Sequence, residues 1–125
     1  MGAPAPREIH TKFAAALNAG DLEAVCALYE PLATIVPQPG QAPVQGIDGI
    51  RKVLAGFISM GTRIDIETVW AVECGELALL RSRHHLIAKG TGGQPVEMIG
   101  SGSAVLRRQP DGGWLYVIDH AWGAG

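Results

Sequence analysis

The side chains best able to move protons near neutral pH are four histidines, His10, His84, His85 and His120, and one carboxylate close to the C-terminus, Asp119. Asp119 lies in an alternating segment, where Leu115, Val117, Asp119 and Ala121 share one face and Trp114, Tyr116, Ile118, His120 and Trp122 the other. In another such segment, His84 shares a face with Ala78, Leu80, Ser82 and Leu86, opposite Leu79, Arg81, Arg83, His85 and Ile87. A carboxylate and an imidazole brought to the same side of a sheet form an acid/base pair. The adjacent His84 and His85 cannot hold one metal from a regular strand, because neighbouring side chains point to opposite faces. No third clustered ligand accompanies them, so no metal site is expected. Cys26 and Cys74 lack metal-ligand spacing and are expected as two buried, unbridged thiols.

Two kinds of element must position these groups. Ile9, Phe13, Ala16 and Leu17 recur with helical spacing, and Gly20 ends that helix. Asp21 caps a second helix, with Leu22, Val25, Cys26 and Tyr29 on its apolar face and Pro31 stopping it. A short strand is expected at Ala33 to Val36, followed by an ordered loop from Pro37 to Gly46. Ile50, Val53, Leu54, Phe57 and Ile58 mark a third helix, closed by Gly61.

The apolar period then changes to two. Ile64 to Glu73, Leu77 to Lys89, Val96 to Gln109 and Trp114 to Trp122 read as strands. Their turns fall at Cys74-Gly75-Glu76, Gly90-Thr91-Gly92-Gly93 and Pro110-Asp111-Gly112-Gly113. The second of these is glycine-rich but has no lysine and no following helix, so it reads as a hairpin and not as a phosphate loop. The pattern is an α+β domain spanning residues 1–125, with helices on one face of a sheet.

Composition narrows the function. Hydrophobic residues make up 47% and charged residues 18%, enough to build a core and too apolar for a disordered chain. The formal net charge of −2 leaves no basic excess for nucleic acid. No apolar run reaches the roughly 18 residues of a membrane span, and the N-terminus lacks a secretion signal, so a cytoplasmic protein is expected.

Phe13-Ala-Ala-Ala-Leu-Asn-Ala-Gly-Asp-Leu22, Ala27-Leu28-Tyr29, Ala33-Thr34, Gly46 with Gly49-Ile50-Arg51, and the stretch Val105 to Trp114 resemble the nuclear-transport-factor-two-like superfamily. Its SnoaL-like and ketosteroid-isomerase-like branches are the most similar. The resemblance implies a cone-shaped α+β barrel, usually dimeric, with three N-terminal helices packed on a curved, mostly antiparallel sheet. It is weak for function, since this fold hosts isomerases, cyclases, dehydratases and pure binding modules. Where the steroid isomerases carry their base this chain has Pro37. Where they carry a helix-one tyrosine it has Phe13, and their second acid falls near Ser103 or Ala104. The resemblance therefore implies something other than a standard 3-oxosteroid isomerase.

Matched to that family, the Asp119 face points inward. Asp119 and His84 then become the candidate catalytic pair. Phe13, Leu17, Tyr29, Leu54, Phe57, Trp70, Ser82, Ser103 and Val117 become candidate lining for a small hydrophobic molecule. Ser101, Ser103, Val105 and Arg107 are placed on the inner face of their strand, and His10, His85 and His120 on the surface or at an interface. Trp114, Tyr116, Ile118, His120 and Trp122 then form an outward aromatic stripe, the mark of a homodimer. If the parity is reversed, the pocket is aromatic and His120 is its titratable group. Asp119 equally fits a structural role, paired to an arginine, tyrosine or backbone N–H. The competing functions are a cofactor-free isomerase, cyclase or lyase, a non-catalytic ligand-binding module, and an association module.

Overall fold

The structure is a computed structural model that describes residues 2–89 and 91–124. After a short 3-10 turn, Pro6–Glu8, the elements run α1 (Ile9–Asn18), α2 (Leu22–Cys26), β1 (Tyr29–Val36), β2 (Val44–Gln45), α3 (Ile47–Ser59), β3 (Arg63–Cys74), β4 (Leu77–Lys89), a 3-10 turn at Thr91–Gly93, β5 (Pro95–Arg108) and β6 (Trp114–His120). Six strands form one sheet in the order β2-β1-β6-β5-β4-β3. All neighbours are antiparallel except β1 with β6. The sheet curls over the helices without closing, since β2 and β3 remain its two edges. Of the expected turn at Gly90–Gly93, Gly90 lies outside the described residues.

Local chemistry sets the helix ends. Gly20 takes φ of +71°, open to glycine and costly for other residues, which lets the chain leave α1. One residue later, Asp21 accepts the N–H of Ala24 at 3.1 Å and caps α2. The second helix is shorter than the sequence periodicity suggests. Tyr29 leaves it and pairs with Tyr116 across to β6, so β1 begins four residues earlier than expected. The register of β1 against β6 shifts between Tyr29 and Thr34. Pro31, which has no N–H to donate, sits inside that interruption and not at a helix end.

The core lies between the helices and the concave face. Ile9, Val25, Ile50, Leu54, Leu80, Leu106 and Tyr116 are its largest fully buried side chains. Each such aliphatic side chain contributes about 1.5–3 kcal/mol by leaving water. Polar side chains fix the orientation of α1. Asn18 donates through Nδ2 to the Ile64 carbonyl at 2.9 Å and accepts the Ile64 N–H at 2.8 Å, riveting the helix end to the start of β3.

Two single-residue bulges decide which side chains face inward. On β3, Thr68 pairs with Ser82 and Trp70 with the adjacent Arg81, leaving Val69 as an extra residue. On β6, Ile118 pairs with Val105 and Tyr116 with the adjacent Leu106, leaving Val117 as the extra residue. Strand parity reverses across each bulge.

Candidate functional site

The concave face and the helices enclose a cavity of about 60 Å³. Its apolar wall includes Phe13 and Leu17 of α1, Phe57 of α3 and Ile64 of β3. Its polar wall is His10, Ser82, His84, Tyr116 and Asp119. With Ile35 of β1, six elements and the C-terminal turn contribute to one hollow.

Asp119 is held by a residue far away in sequence. Tyr29 donates its hydroxyl to Asp119 Oδ2 at 2.6 Å, across the parallel β1–β6 pair. Burial pushes the Asp119 carboxyl up to about 6, and the Tyr29 hydrogen bond and nearby His120 pull it back only in part. The same burial, with the Asp119 charge beside it, raises the Tyr29 hydroxyl well above its ordinary value, so Tyr29 stays a donor. Tyr29 also stacks against Tyr116, with ring centroids 4.8 Å apart.

The two histidines of the wall differ from Asp119 in sign. His10 Nδ1 meets the Tyr116 hydroxyl at 2.7 Å. Burial, with His84 nearby, pushes His10 down to about 4. Burial also lowers His84. Both imidazoles are therefore neutral at pH 7. The Nε2 atoms of both are buried and meet no hydrogen-bonding group among the described residues. The arrangement supplies one acid/base group of near-neutral pKa and two uncharged imidazole edges inside an apolar shell.

A C-terminal turn covers part of the cavity. The Trp122 ring stands edge-on to His84 at 4.7 Å, and its Nε1 donates to the Pro37 carbonyl at 3.1 Å. Beneath it lies Gly100, where a Cβ would come within 2.4 Å of the Trp122 ring. The absent side chain is what admits the indole.

The residues expected from sequence divide clearly. Phe13, Leu17, Phe57, Ser82, His84 and Asp119 all line the cavity, and Tyr29 touches it through Asp119. Leu54 is fully buried core and Val117 occupies the bulge, so neither is part of the lining. Trp70 is 37% exposed, because the Val69 bulge turns it outward. Ser103 is also outside. It pairs with outward Arg81, while Gly102, Ala104 and Leu106 form the buried face of β5. The expected parity of β5 is thus one residue out. No Asp119–His84 hydrogen bond exists among the described residues, so the partner that orients the carboxyl is Tyr29.

The aromatic stripe is likewise redistributed. Tyr116, at 1% exposure, and Trp114 are core, Trp122 lines the cavity, and only Ile118 is well exposed on the outer face. His10 is 4% exposed and part of the cavity wall, not a surface residue. His85 does lie at the surface, where it faces Glu97 at 3.0 Å. Cys26 is buried as expected, but Cys74 is exposed. Among the described residues, no group of three or more His, Cys, Asp or Glu is arranged to hold a metal ion. No helix among them is long and apolar enough to cross a membrane.

A family model described as a SnoaL-like domain matches residues 10–117. The chain belongs to the SnoaL-like family. Similar solved structures include a candidate dehydratase of the nuclear-transport-factor-two-like family from Streptomyces avermitilis, 22% identical, with 89% of this chain and 88% of that one covered and a TM-score of 0.74. A ketosteroid isomerase-like protein from Erwinia carotovora atroseptica is 21% identical, with 89% and 87% covered and a TM-score of 0.75. A candidate calcium/calmodulin-dependent protein kinase type II association domain from Thiobacillus denitrificans is 21% identical, with 98% and 97% covered and a TM-score of 0.78. No curated protein matches. At these identities the structures establish the fold of this SnoaL-like chain and leave its chemistry to its own residues. Phe13 and Pro37 line the cavity and carry no acid or base.

Proposed function

We propose that this SnoaL-like protein is a cofactor-free isomerase or lyase acting on a small, largely apolar molecule, with Asp119 as its acid/base group. The observation that carries this reading is the Asp119 carboxyl, aimed at an apolar cavity, hydrogen-bonded to Tyr29 and pushed up to about 6. A group with that pKa is divided between its two forms near neutral pH, which suits proton transfer in either direction. As a carboxylate, Asp119 takes a proton from a carbon beside a carbonyl; the C–H electrons form a C=C bond while the carbonyl π electrons move onto its oxygen as an enolate. As a carboxyl, it returns that proton to another carbon as the enolate re-forms its carbonyl, or passes it to a β-hydroxyl whose C–O bond breaks as the enolate collapses, so that water leaves. Tyr29 fixes the direction of the carboxyl throughout. The substrate is not a 3-oxosteroid turned over in the standard way, since Phe13 and Pro37 stand where that reaction's groups would be.

The test follows α-proton exchange of cyclopentanone in D₂O by NMR. The protein accelerates exchange above buffer, and Asp119→Asn lowers the enzymatic rate at least a hundredfold, the usual span for a lost acid/base group. Equal rates for the two proteins end the acid/base reading.

A second reading is a binding module without turnover, favoured by the mostly apolar wall. Ligand binding that survives Asp119→Asn, with no exchange in either protein, selects it.

The outer face of the sheet suits a homodimer. Val72, Leu79, Val105 and Ile118 are register neighbours in one row across β3, β4, β5 and β6, and Val72, Leu79 and Ile118 are exposed. An apolar row of this kind is the material of a subunit interface.

A further inference from the structure

We infer that the Nε2 atoms of His10 and His84 form a subsite for the hydroxyl of an uncharged ligand. This deepens the acid/base reading above and rests on the same cavity being the ligand site. Both atoms are buried, both belong to side chains of the cavity wall, and neither meets a hydrogen-bonding group among the described residues. The side chains are only 4% and 6% exposed. A polar atom hidden from water without a partner is costly, so a pair of them on one wall marks a place that a ligand atom completes.

The chemistry of the pair selects the group. A neutral imidazole has one donor and one acceptor nitrogen. The Nδ1 of His10 is engaged with the Tyr116 hydroxyl, so its Nε2 has the single remaining role, donor or acceptor according to tautomer. An alcohol oxygen donates one hydrogen and accepts at two lone pairs, so it satisfies both nitrogens in every tautomer assignment except the one in which both are acceptors. A carboxylate only accepts. It would bring a charge into a wall holding no cation, since burial keeps both imidazoles neutral, and it would face Asp119. An apolar molecule would fill the space and leave both nitrogens unsatisfied. The substrate class that fits is therefore a small neutral alcohol, or a hydroxy-ketone whose hydroxyl reaches this wall.

The experiment compares cyclopentanol, cyclopentane and cyclopentanecarboxylate by NMR titration, reading the imidazole ¹⁵N shifts of His10 and His84. Cyclopentanol binds about tenfold more tightly than cyclopentane and moves both Nε2 resonances, as expected for satisfied buried nitrogens. The carboxylate moves neither. In His84→Phe the preference for the alcohol collapses while cyclopentane binding is kept. Binding of cyclopentane as tight as that of cyclopentanol overturns this inference alone, as does tight binding of the carboxylate or of the alcohol with both ¹⁵N shifts unmoved. If none of the three binds, the cavity reading falls with it. Should His84→Phe fail to fold, the wild-type ¹⁵N shifts still decide.

Discussion

Tyr29 and Asp119 lie 90 residues apart in sequence and are joined by a 2.6 Å hydrogen bond. The contact exists because β1 and β6 run parallel, with Ile35 opposite Asp119 and Tyr29 opposite Tyr116. Tyr29 favours the charged form of the carboxyl, against the burial that disfavours it. In Tyr29→Phe that support is lost and the Asp119 midpoint rises above its wild-type value of about 6. Carboxyl ¹³C NMR across pH 4–9 reads this directly. A midpoint that stays in place or falls shows that the hydrogen bond does not act on the carboxyl. The variant also loses about 1 kcal/mol of stability.

Asp119 and His10 pull the pH dependence of stability in opposite directions. The folded state raises Asp119 from 3.8 to about 6, so near pH 5 it holds a proton that the unfolded chain has released. This contribution is complete below pH 4 and is lost as pH rises through 6. His10 is lowered from 6.5 to about 4, so near pH 5 it lacks a proton that the unfolded chain holds. Its contribution is present above pH 6.5 and lost as pH falls through 4. Each shift corresponds to about 3 kcal/mol at full extent. The Asp119 arm offsets the His10 arm, and His84, lowered in the same sense as His10, adds to the latter, so wild-type stability rises only gently between pH 4.5 and 6.5. Asp119→Asn removes one arm and leaves stability rising with pH over that window. Urea unfolding at four or five pH values checks this, and parallel wild-type and variant profiles contradict it.

Trp122 limits the size of the cavity. The hollow measures about 60 Å³, and the indole closes one side of it. Removing the indole in Trp122→Ala widens it, and xenon-induced NMR shifts at Phe13 and Phe57 grow accordingly. The stability cost is about 2 kcal/mol, because the ring is only half-buried. Gly100→Ala reaches the same end from beneath. Its Cβ would lie 2.4 Å from the Trp122 ring, so the indole must leave the Pro37 carbonyl, and tryptophan fluorescence shifts to the red. Unchanged emission in Gly100→Ala shows that the ring is not seated against that glycine.

Much of this was legible in the residues, and the failures have physical causes. On β4, an unbroken alternation places Ala78, Leu80, Ser82 and His84 inward, as the structure has them. Bulges defeat the same logic on β3 and β6, because each adds one residue without leaving a compositional mark. Val69 turns Trp70 out, and Val117 lets Tyr116 and Asp119 both point in. For β5 a signal was present: Gly100 and Gly102 alternate with the serines, and glycine on a strand face often marks close approach by another chain segment. The C-terminal turn makes that approach. His10 was misplaced because its partner, Tyr116, comes from 106 residues away.

The outer apolar row supplies a prediction about assembly. Sedimentation of the wild-type protein shows a dimer, and Leu79→Glu with Ile118→Glu shifts it to monomer, since both positions are exposed and adjacent to Val105. Neither side chain faces the cavity, so cyclopentanol binding is retained. A wild-type monomer at every concentration removes the dimer from the account.

The extra residue at position 117 shows how such a site can tolerate a change in chain length. Remove Val117 and Ile118 follows Tyr116 directly, opposite the adjacent Val105 and Leu106, so regular alternation still turns Tyr116 and Asp119 inward and Ile118 outward. One codon lost there would erase the bulge and leave the carboxylate in place beside Tyr29. Chains of this shape can therefore differ in length along this strand while presenting the same inner side chains.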